Sequence, residues 1–156
     1  MRYLDLTVLY VESIPSRVYL ALLKKNGYLP KKIIHIDVES KSKQYYLLKN
    51  IVGASLAKYI LKLYRGIKLN WRSFDKNIAN KMLDEFLLST HDLKFNLNQY
   101  PALQYERISV LSLDDERLIE KLKNESVKTF LFTGGGILKN DILSIKNSRF
   151  FHIHPG

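Results

Sequence analysis

The fold is decided by the run LTVLYV at residues 6–11, a stretch of β-forming residues short enough for a buried strand. A helix is expected after it, with Ser16 as the N-cap, because Pro15 discourages an earlier start. A second run of the same kind, IIHIDV, occupies residues 33–38. Strand, helix and strand in this order form a right-handed βαβ unit, which predicts a parallel sheet.

The middle of the chain, residues 39–100, has a helical pattern and few strand signals. Apolar side chains recur every three or four residues from 44 to 64 and from 75 to 89, which predicts two amphipathic helices. Further strands are expected at 108–113, 127–132 and 150–154. Further helices are expected up to about Asn124, capped by Asp114 and Asp115, and over 137–145. The prediction is a single α/β domain over residues 1–156: a Rossmann-like, doubly wound, mostly parallel sheet with an enlarged helical insertion between the second and third strands.

The composition excludes several classes of protein. The chain has 156 residues, 46% of them hydrophobic, and no cysteine, so disulfide scaffolds, thiolate metal sites and cysteine nucleophiles are ruled out. The first residues, MRYLD, lack the zones of a signal peptide, and no uncharged apolar run approaches the roughly 18 residues of a membrane span. A cytoplasmic protein without a membrane partner is expected.

The positive charge is concentrated in the first half of the chain. The formal net charge is +10, and all of the excess lies in residues 1–78, whereas residues 79–156 carry equal numbers of acids and bases. One interpretation is a positive surface that attracts a nucleic acid, a nucleotide or a phosphorylated substrate. The other is a set of lysine-coated helix surfaces with no ligand.

Three consecutive glycines, 134–136, follow the predicted strand at 127–132. Glycines at the carboxyl end of a parallel strand allow a sharp turn and let backbone amides approach a ligand closely. The stretch is neither G-x-G-x-x-G nor a P-loop, and the loop at residues 12–16 has no glycine, so a dinucleotide site is disfavoured. An ordinary turn from strand to helix is the alternative.

Two histidines, His152 and His154, are two residues apart on a predicted strand and so share one face. They could bind a divalent metal, although no third ligand is identifiable from spacing. Alternatively, one imidazole acts as an acid or base, or as an electrophile at a carbonyl. A purely structural pair is the third interpretation, and His35 and His91 are assigned to structural roles.

The last part of the chain resembles a known family. The stretches FLFTGGGILKNDIL at residues 130–143 and FHIHPG at residues 151–156 are similar to the formyltransferases that use 10-formyltetrahydrofolate. That family has a strand, a glycine-containing turn, Ile-Leu, a short helix and then Asn-x-His. Residues 108–156 carry the resemblance, residues 6–38 fit its Rossmann-like N-terminal domain, and residues 39–100 match only in topology.

The resemblance implies roles for specific residues. His154 matches the catalytic histidine, and His152 stands where the family has an asparagine that donates to the developing oxyanion. The glycine turn and the residues after it would line the pterin pocket, namely Gly135, Gly136, Ile137 and Leu138. No metal is implied. The family's catalytic aspartate lies downstream of this motif and is not in the sequence, so the C-terminal part of the catalytic domain is expected to be missing and the chain alone inactive.

The expected function is formyl transfer from 10-formyltetrahydrofolate, as co-substrate, to an amine. The acceptor is expected to be a nucleotide-linked amino sugar or a similar anionic small molecule, since the basic half of the chain would attract one. A methionyl-tRNA formyltransferase is an alternative, because a +10 domain could dock on phosphates. A catalytically incomplete, formyltransferase-like domain that only binds a partner is another.

Overall fold

A five-stranded sheet with all strands parallel forms the centre of the computed structural model, which describes residues 1–38, 50–53, 56, 77, 80–94, 97–135 and 137–152. The strand order is β3-β2-β1-β4-β5. The elements are β1 (Arg2–Tyr10), α1 (Ile14–Lys25), β2 (Tyr28–Val38), β3 (Gln104–Val110), α2 (Glu116–Lys123), β4 (Thr129–Phe132), α3 (Asn140–Leu143) and β5 (Arg149–His152). The chain is therefore an α/β protein with a parallel sheet, as predicted, and is consistent with a Rossmann-like fold.

Helices cover both faces of the sheet. On the face called here the α2 face, Leu9, Ile34 and Phe132 pack in one cluster with Leu118 of α2 and Ile142 of α3. On the opposite face, called the α1 face, a second cluster joins Val8, Tyr10 and Ile33 to Leu20 of α1. The direction of winding reverses between β1 and β4, which are neighbours. Open α/β sheets bind ligands outside the carboxyl ends of the strands at such a point.

Helix α1 begins at Ile14, two residues before the predicted N-cap Ser16, so that prediction was wrong. The N-cap is Ser13, whose side chain accepts a hydrogen bond from the Ser16 amide at 3.2 Å. Pro15 falls in the first turn, where its missing N–H costs nothing and its fixed φ suits the helix. Ser16 therefore lies within the helix, and its buried side chain can contact the neighbouring loops.

Strand β3 begins at Gln104 and ends at Val110, whereas the apolar alternation predicted residues 108–113. Its first residues are polar, because β3 is an edge strand and its side chains form ion pairs. Glu106 pairs with Lys32 of β2 at 3.0 Å and with Lys121 of α2 at 2.6 Å. These pairs replace the apolar pattern that identifies a half-buried strand.

The chain leaves the sheet directly after β3. The amide of Leu111 donates to the carboxylate of Asp115 at 2.9 Å, and Asp115 is the N-cap of α2. Residues 111–113 therefore belong to a turn and not to a strand. The predicted cap of this helix, Asp115, is confirmed, while β4 and α3 are shorter than predicted and β5 begins at Arg149, one residue before its predicted start.

Much of the predicted helical insertion lies outside the described residues. Within it, residues 80–85 are helical, and Leu97–Gln99 form a 3-10 turn. Met82 and Leu83 pack against Val18 and Ala21 of α1. This part of the insertion therefore covers α1 on the side away from the sheet. In the described part of the chain, no helix is long and apolar enough to cross a membrane.

Candidate functional site

Two motifs predicted from the sequence meet at the carboxyl edge of β4 and β5. Phe132, the last residue of β4, is the register partner of His152, the last residue of β5. The ring of His152 lies 5.0 Å from that of Phe132, and its Nε2 lies 3.2 Å from the carbonyl oxygen of Gly134. Because a carbonyl only accepts, Nε2 carries the proton in this contact. His152 of the histidine motif is thus brought to Gly134 of the glycine turn.

Gly134 is required by packing and not by a ligand. A Cβ at this position would stand 2.6 Å from Cγ2 of Val11, which is shorter than any real contact of this kind. The hydroxyl of Ser16 lies 2.7 Å from the carbonyl oxygen of Val11 and 2.8 Å from that of Thr133. The loops after β1 and β4 are therefore held together at the point where the winding reverses.

Gly135 and Ile137 face solvent next to this packed turn. A Cβ on Gly135 would meet nothing within 4 Å, so the fold gives no steric reason for glycine there. Ile137 is 86% exposed, which is unusual for a large apolar side chain. Leu138 has its side chain in the core of the α2 face, so only its backbone can line a pocket. Gly136 and His154 lie outside the described residues.

A cavity of about 330 Å³ opens on the α1 face, beside the carboxyl end of β1, and extends along the middle of β2 to the start of β3. No site was predicted here from the sequence. The polar and aromatic residues of the cavity lining are Tyr10, Glu12, Arg17, His35, Asp92, Lys94 and Tyr105. This cavity is called the α1-face cavity. His35, which was assigned a structural role, is therefore part of a cavity wall.

An ion pair stands at the start of α1 in this cavity. Nε of Arg17 donates to Oε1 of Glu12 at 2.6 Å, and each side chain is about half exposed. Burial, and secondarily the negative charge of Glu12, raises the pKa of Tyr10 to about 12. The Tyr10 hydroxyl is therefore protonated at neutral pH and can donate a hydrogen bond.

His35 contacts Asp37 on its own strand and Tyr105 on the neighbouring strand β3. Its Nδ1 lies 2.6 Å from the hydroxyl of Tyr105, and its Nε2 lies 3.5 Å from Oδ1 of Asp37, too far for a well-formed hydrogen bond. The hydrogen bond from Arg107 lowers the pKa of Asp37, so this carboxylate remains charged. The ring of His35 is nearly perpendicular to those of Tyr10 and Tyr105, at 87° and 73°.

One signal for this cavity was present in the sequence. His35 and Asp37 alternate with isoleucines in β2, so the two polar side chains share the face that Tyr10 also occupies. The other lining residues come from distant parts of the chain, and no local pattern connects them. Among the described residues, no group of three or more histidines and carboxylates is arranged to hold a metal ion.

Comparison with known proteins adds no family to this description. No protein-family model matches the chain, and neither a curated protein nor a solved structure matches it significantly. The function is therefore argued from the residues of the two sites.

Proposed function

We propose that this chain is the folate-binding N-terminal domain of a formyltransferase, which moves the formyl group of 10-formyltetrahydrofolate to the amine of a nucleotide-linked amino sugar or a similar anionic metabolite. One observation carries the proposal. The two motifs that resemble the family, the glycine turn and the histidine strand, lie side by side, with His152 Nε2 3.2 Å from the carbonyl of Gly134. Adjacent strand ends at the carboxyl edge are where an α/β sheet places its ligands.

The exposed part of the turn supports a pterin pocket. Gly135 has open space around it, and Ile137 presents an apolar side chain to solvent. Backbone amides without a Cβ in the way can reach the edge of a heterocycle, and an exposed isoleucine can cover its face. Both features are unexplained by the packing of the chain and would be used when a pterin binds.

Formyl transfer needs few groups from the protein. The amine attacks the formyl carbon, a carbon–nitrogen bond forms, and charge collects on the formyl oxygen before the bond to the folate nitrogen breaks. His154 would stabilise this oxygen, and His152 would assist. The ammonium proton would pass to the carboxylate that the family supplies downstream of this motif. No metal and no covalent enzyme intermediate are needed.

His152 replaces the family's asparagine at a chemical cost. In the structure its Nε2–H points at the carbonyl of Gly134. To donate to a developing oxyanion, this Nε2–H would have to turn from the carbonyl of Gly134 to the formyl oxygen. The amide of an asparagine has two N–H donors, so it could keep one such contact while it donates to the oxyanion.

Binding of a hydrolysis-stable 10-formyl folate analogue to the chain tests the proposal. We expect measurable binding by calorimetry and a loss of about tenfold or more for Gly135→Val, whose side chain would occupy the open space beside the turn. His91→Ala, at an exposed turn, is the control. Undetectable binding by the folded chain, or unchanged binding by Gly135→Val, would contradict the pterin pocket.

Catalysis is tested separately with the full natural chain. Formyl transfer should be abolished by His154→Ala and retained by His91→Ala. Full activity of His154→Ala would reject the assigned role. Binding of folate without transfer to any amine would favour the catalytically incomplete domain.

The basic half of the chain favours an anionic acceptor, and tRNA is the second candidate because all of the +10 charge lies in residues 1–78. The two acceptors differ in salt dependence. Binding of tRNA releases counterions and weakens steeply as salt rises, by about 10³-fold or more between 50 and 200 mM when several phosphates are contacted. Binding of a nucleotide sugar should weaken much less over the same range.

A further inference from the structure

We propose that the α1-face cavity is a binding site for a planar heteroaromatic ring with a hydrogen-bonding edge, the chemistry of a nucleobase. The site goes beyond the proposed formyl transfer: it lies on the opposite face of the sheet from His152, and its argument uses none of the residues assigned to folate. It stands whether or not the chain transfers formyl groups.

The position and size of the cavity suit a small ligand. It lies beside the carboxyl end of β1 and the start of α1, which supply Tyr10, Glu12 and Arg17, and the described residues 92–94 and 97 close its other side. Its volume of about 330 Å³ lies at the lower end of the range for small-molecule sites, which is roughly 300–1,000 Å³. A single ring system with a small substituent fits this space better than a long chain does.

The wall of the cavity favours a flat ring. The rings of Tyr10, His35 and Tyr105 follow one another, each nearly perpendicular to the next. Leu20 and Ile33 add an apolar surface beside them. Such a wall presents both edges and faces of aromatic rings, and proteins bind bases by stacking them against aromatic and apolar side chains.

The ion pair of Glu12 and Arg17 provides the polar edge. The carboxylate accepts an N–H, and the guanidinium donates to a carbonyl oxygen or a ring nitrogen, so the pair offers an acceptor and a donor side by side. The Watson–Crick edge of every nucleobase has a donor and an acceptor in neighbouring positions. The hydroxyl of Tyr10 hydrogen-bonds to Glu12 and so helps to fix the position of this carboxylate.

The charge of the lining argues against a simple ion as the ligand. Its two carboxylates, Glu12 and Asp92, are matched by two cations, Arg17 and Lys94. Glu12 is already paired, and Asp92 accepts hydrogen bonds from the backbone and hydroxyl of Ser89 at 2.7 Å. An isolated anion or cation would find its counter-charge already neutralised, whereas a polar ring can use the remaining lone pairs of Glu12 and the other N–H groups of Arg17 while the pair stays intact.

The test uses adenosine, guanosine, cytidine and uridine as probes on the full chain, with binding followed by NMR or calorimetry. At least one nucleoside should bind with a Kd below about 1 mM. Glu12→Gln should weaken that binding about tenfold, and Tyr105→Ala should weaken it by a similar factor, because base stacking on an aromatic ring is lost.

Two control variants show whether the nucleoside binds in this cavity and not at another surface. Glu120→Gln removes an exposed carboxylate from α2, on the other face of the sheet, and should leave binding unchanged. His154→Ala should also leave nucleoside binding unchanged. A loss of formyl transfer in that variant would then concern the formyltransferase proposal alone. Circular dichroism shows whether each variant is folded, and Tyr105→Ala is expected to fold because its ring is 42% exposed.

Three results would overturn the inference. The first is no binding of any nucleoside at millimolar concentration. The second is nucleoside binding that both Glu12→Gln and Tyr105→Ala leave unchanged, which would place the bases elsewhere. The third is equal binding of ribose 5-phosphate, which would show that the sugar and phosphate, and not the base, are recognised.

Discussion

Val11 occupies the space that a side chain on Gly134 would need: a Cβ at residue 134 would lie 2.6 Å from Cγ2 of Val11 and 2.7 Å from its Cβ. The first glycine of the triple is therefore fixed by packing between the loops after β1 and β4. The second glycine has no such constraint. One motif thus contains a structural residue followed by a residue that the fold does not explain.

Gly134→Ala should destabilise the protein by about 1–3 kcal/mol, the usual cost of forcing an extra carbon into a packed site. The measurement is the free energy of unfolding from denaturant titration. Gly135→Ala is the matched control and should leave that free energy unchanged, since its Cβ would enter open space. Equal stabilities for the two variants would show that the loops are not packed as described.

Glu125→Gln should lower the free energy of unfolding by about 1–3 kcal/mol, because it removes the charge that a mostly buried lysine uses. Lys32 is 14% exposed and contacts Glu125, itself 7% exposed, at 2.8 Å. Lys121 contacts the same carboxylate at 3.3 Å. The exposed Glu120→Gln is the control, with an expected change within about 0.5 kcal/mol. If Glu125→Gln changed the free energy of unfolding as little as Glu120→Gln does, Glu106 alone would be sufficient as the ion-pair partner of Lys32.

Asp115→Asn should make the protein less sensitive to acid. Hydrogen bonds first from Arg117 and then from the Leu111 amide hold the pKa of Asp115 well below its ordinary value of 3.8. Because the folded-state pKa is the lower one, this carboxylate stabilises the fold above pH 3.8, and the contribution is lost as the pH falls through the folded-state value.

The measurement for Asp115 is the free energy of unfolding as a function of pH. Asparagine is as good an N-cap as aspartate, so the variant retains the cap while losing the charge. Its stability should decline less than that of the parent protein below about pH 4. An identical decline in both proteins would exclude a role for Asp115 in acid unfolding.

His152→Ala should lower kcat/KM for formyl transfer by about 10²-fold in the full natural chain, because the proposed assisting donor to the oxyanion is removed. His152→Asn is the matched control and should retain most of the activity, since its amide N–H groups can donate in the same place. The measurement is kcat/KM of each variant against that of the parent protein. Equal values for His152→Ala and the parent protein would remove His152 from the oxyanion.

The sheet could be predicted because β1, β2 and β4 each contain a short buried apolar run. The ends of the elements were harder. Ser13 and Ser16 are both chemically able to cap α1, and only the structure shows that Ser13 does so. The start of β3 was missed because Glu106 makes ion pairs with side chains from β2 and α2, and no local pattern indicates such partners.

The two sites differ in how much the sequence reveals. The glycine turn and His152 are recognisable because each is a compact local motif, and the adjacency of β4 and β5 brings them together. The α1-face cavity gathers Tyr10, His35 and Tyr105 from three strands that are far apart in the chain. Its existence depends on the strand order, which becomes known only when the sheet is assembled.

The contact of Ser16 with Thr133 joins residues 117 positions apart, and it also has a consequence for the order of folding. Strand β1 finds β2 after one short helix, but its other neighbour, β4, comes much later in the chain. Closing the longer loop costs more chain entropy and is slower. During synthesis, one edge of β1 at Val8-Leu9-Tyr10 therefore has no partner until β4 has been made. We expect misassembly with another nascent chain to begin at this edge.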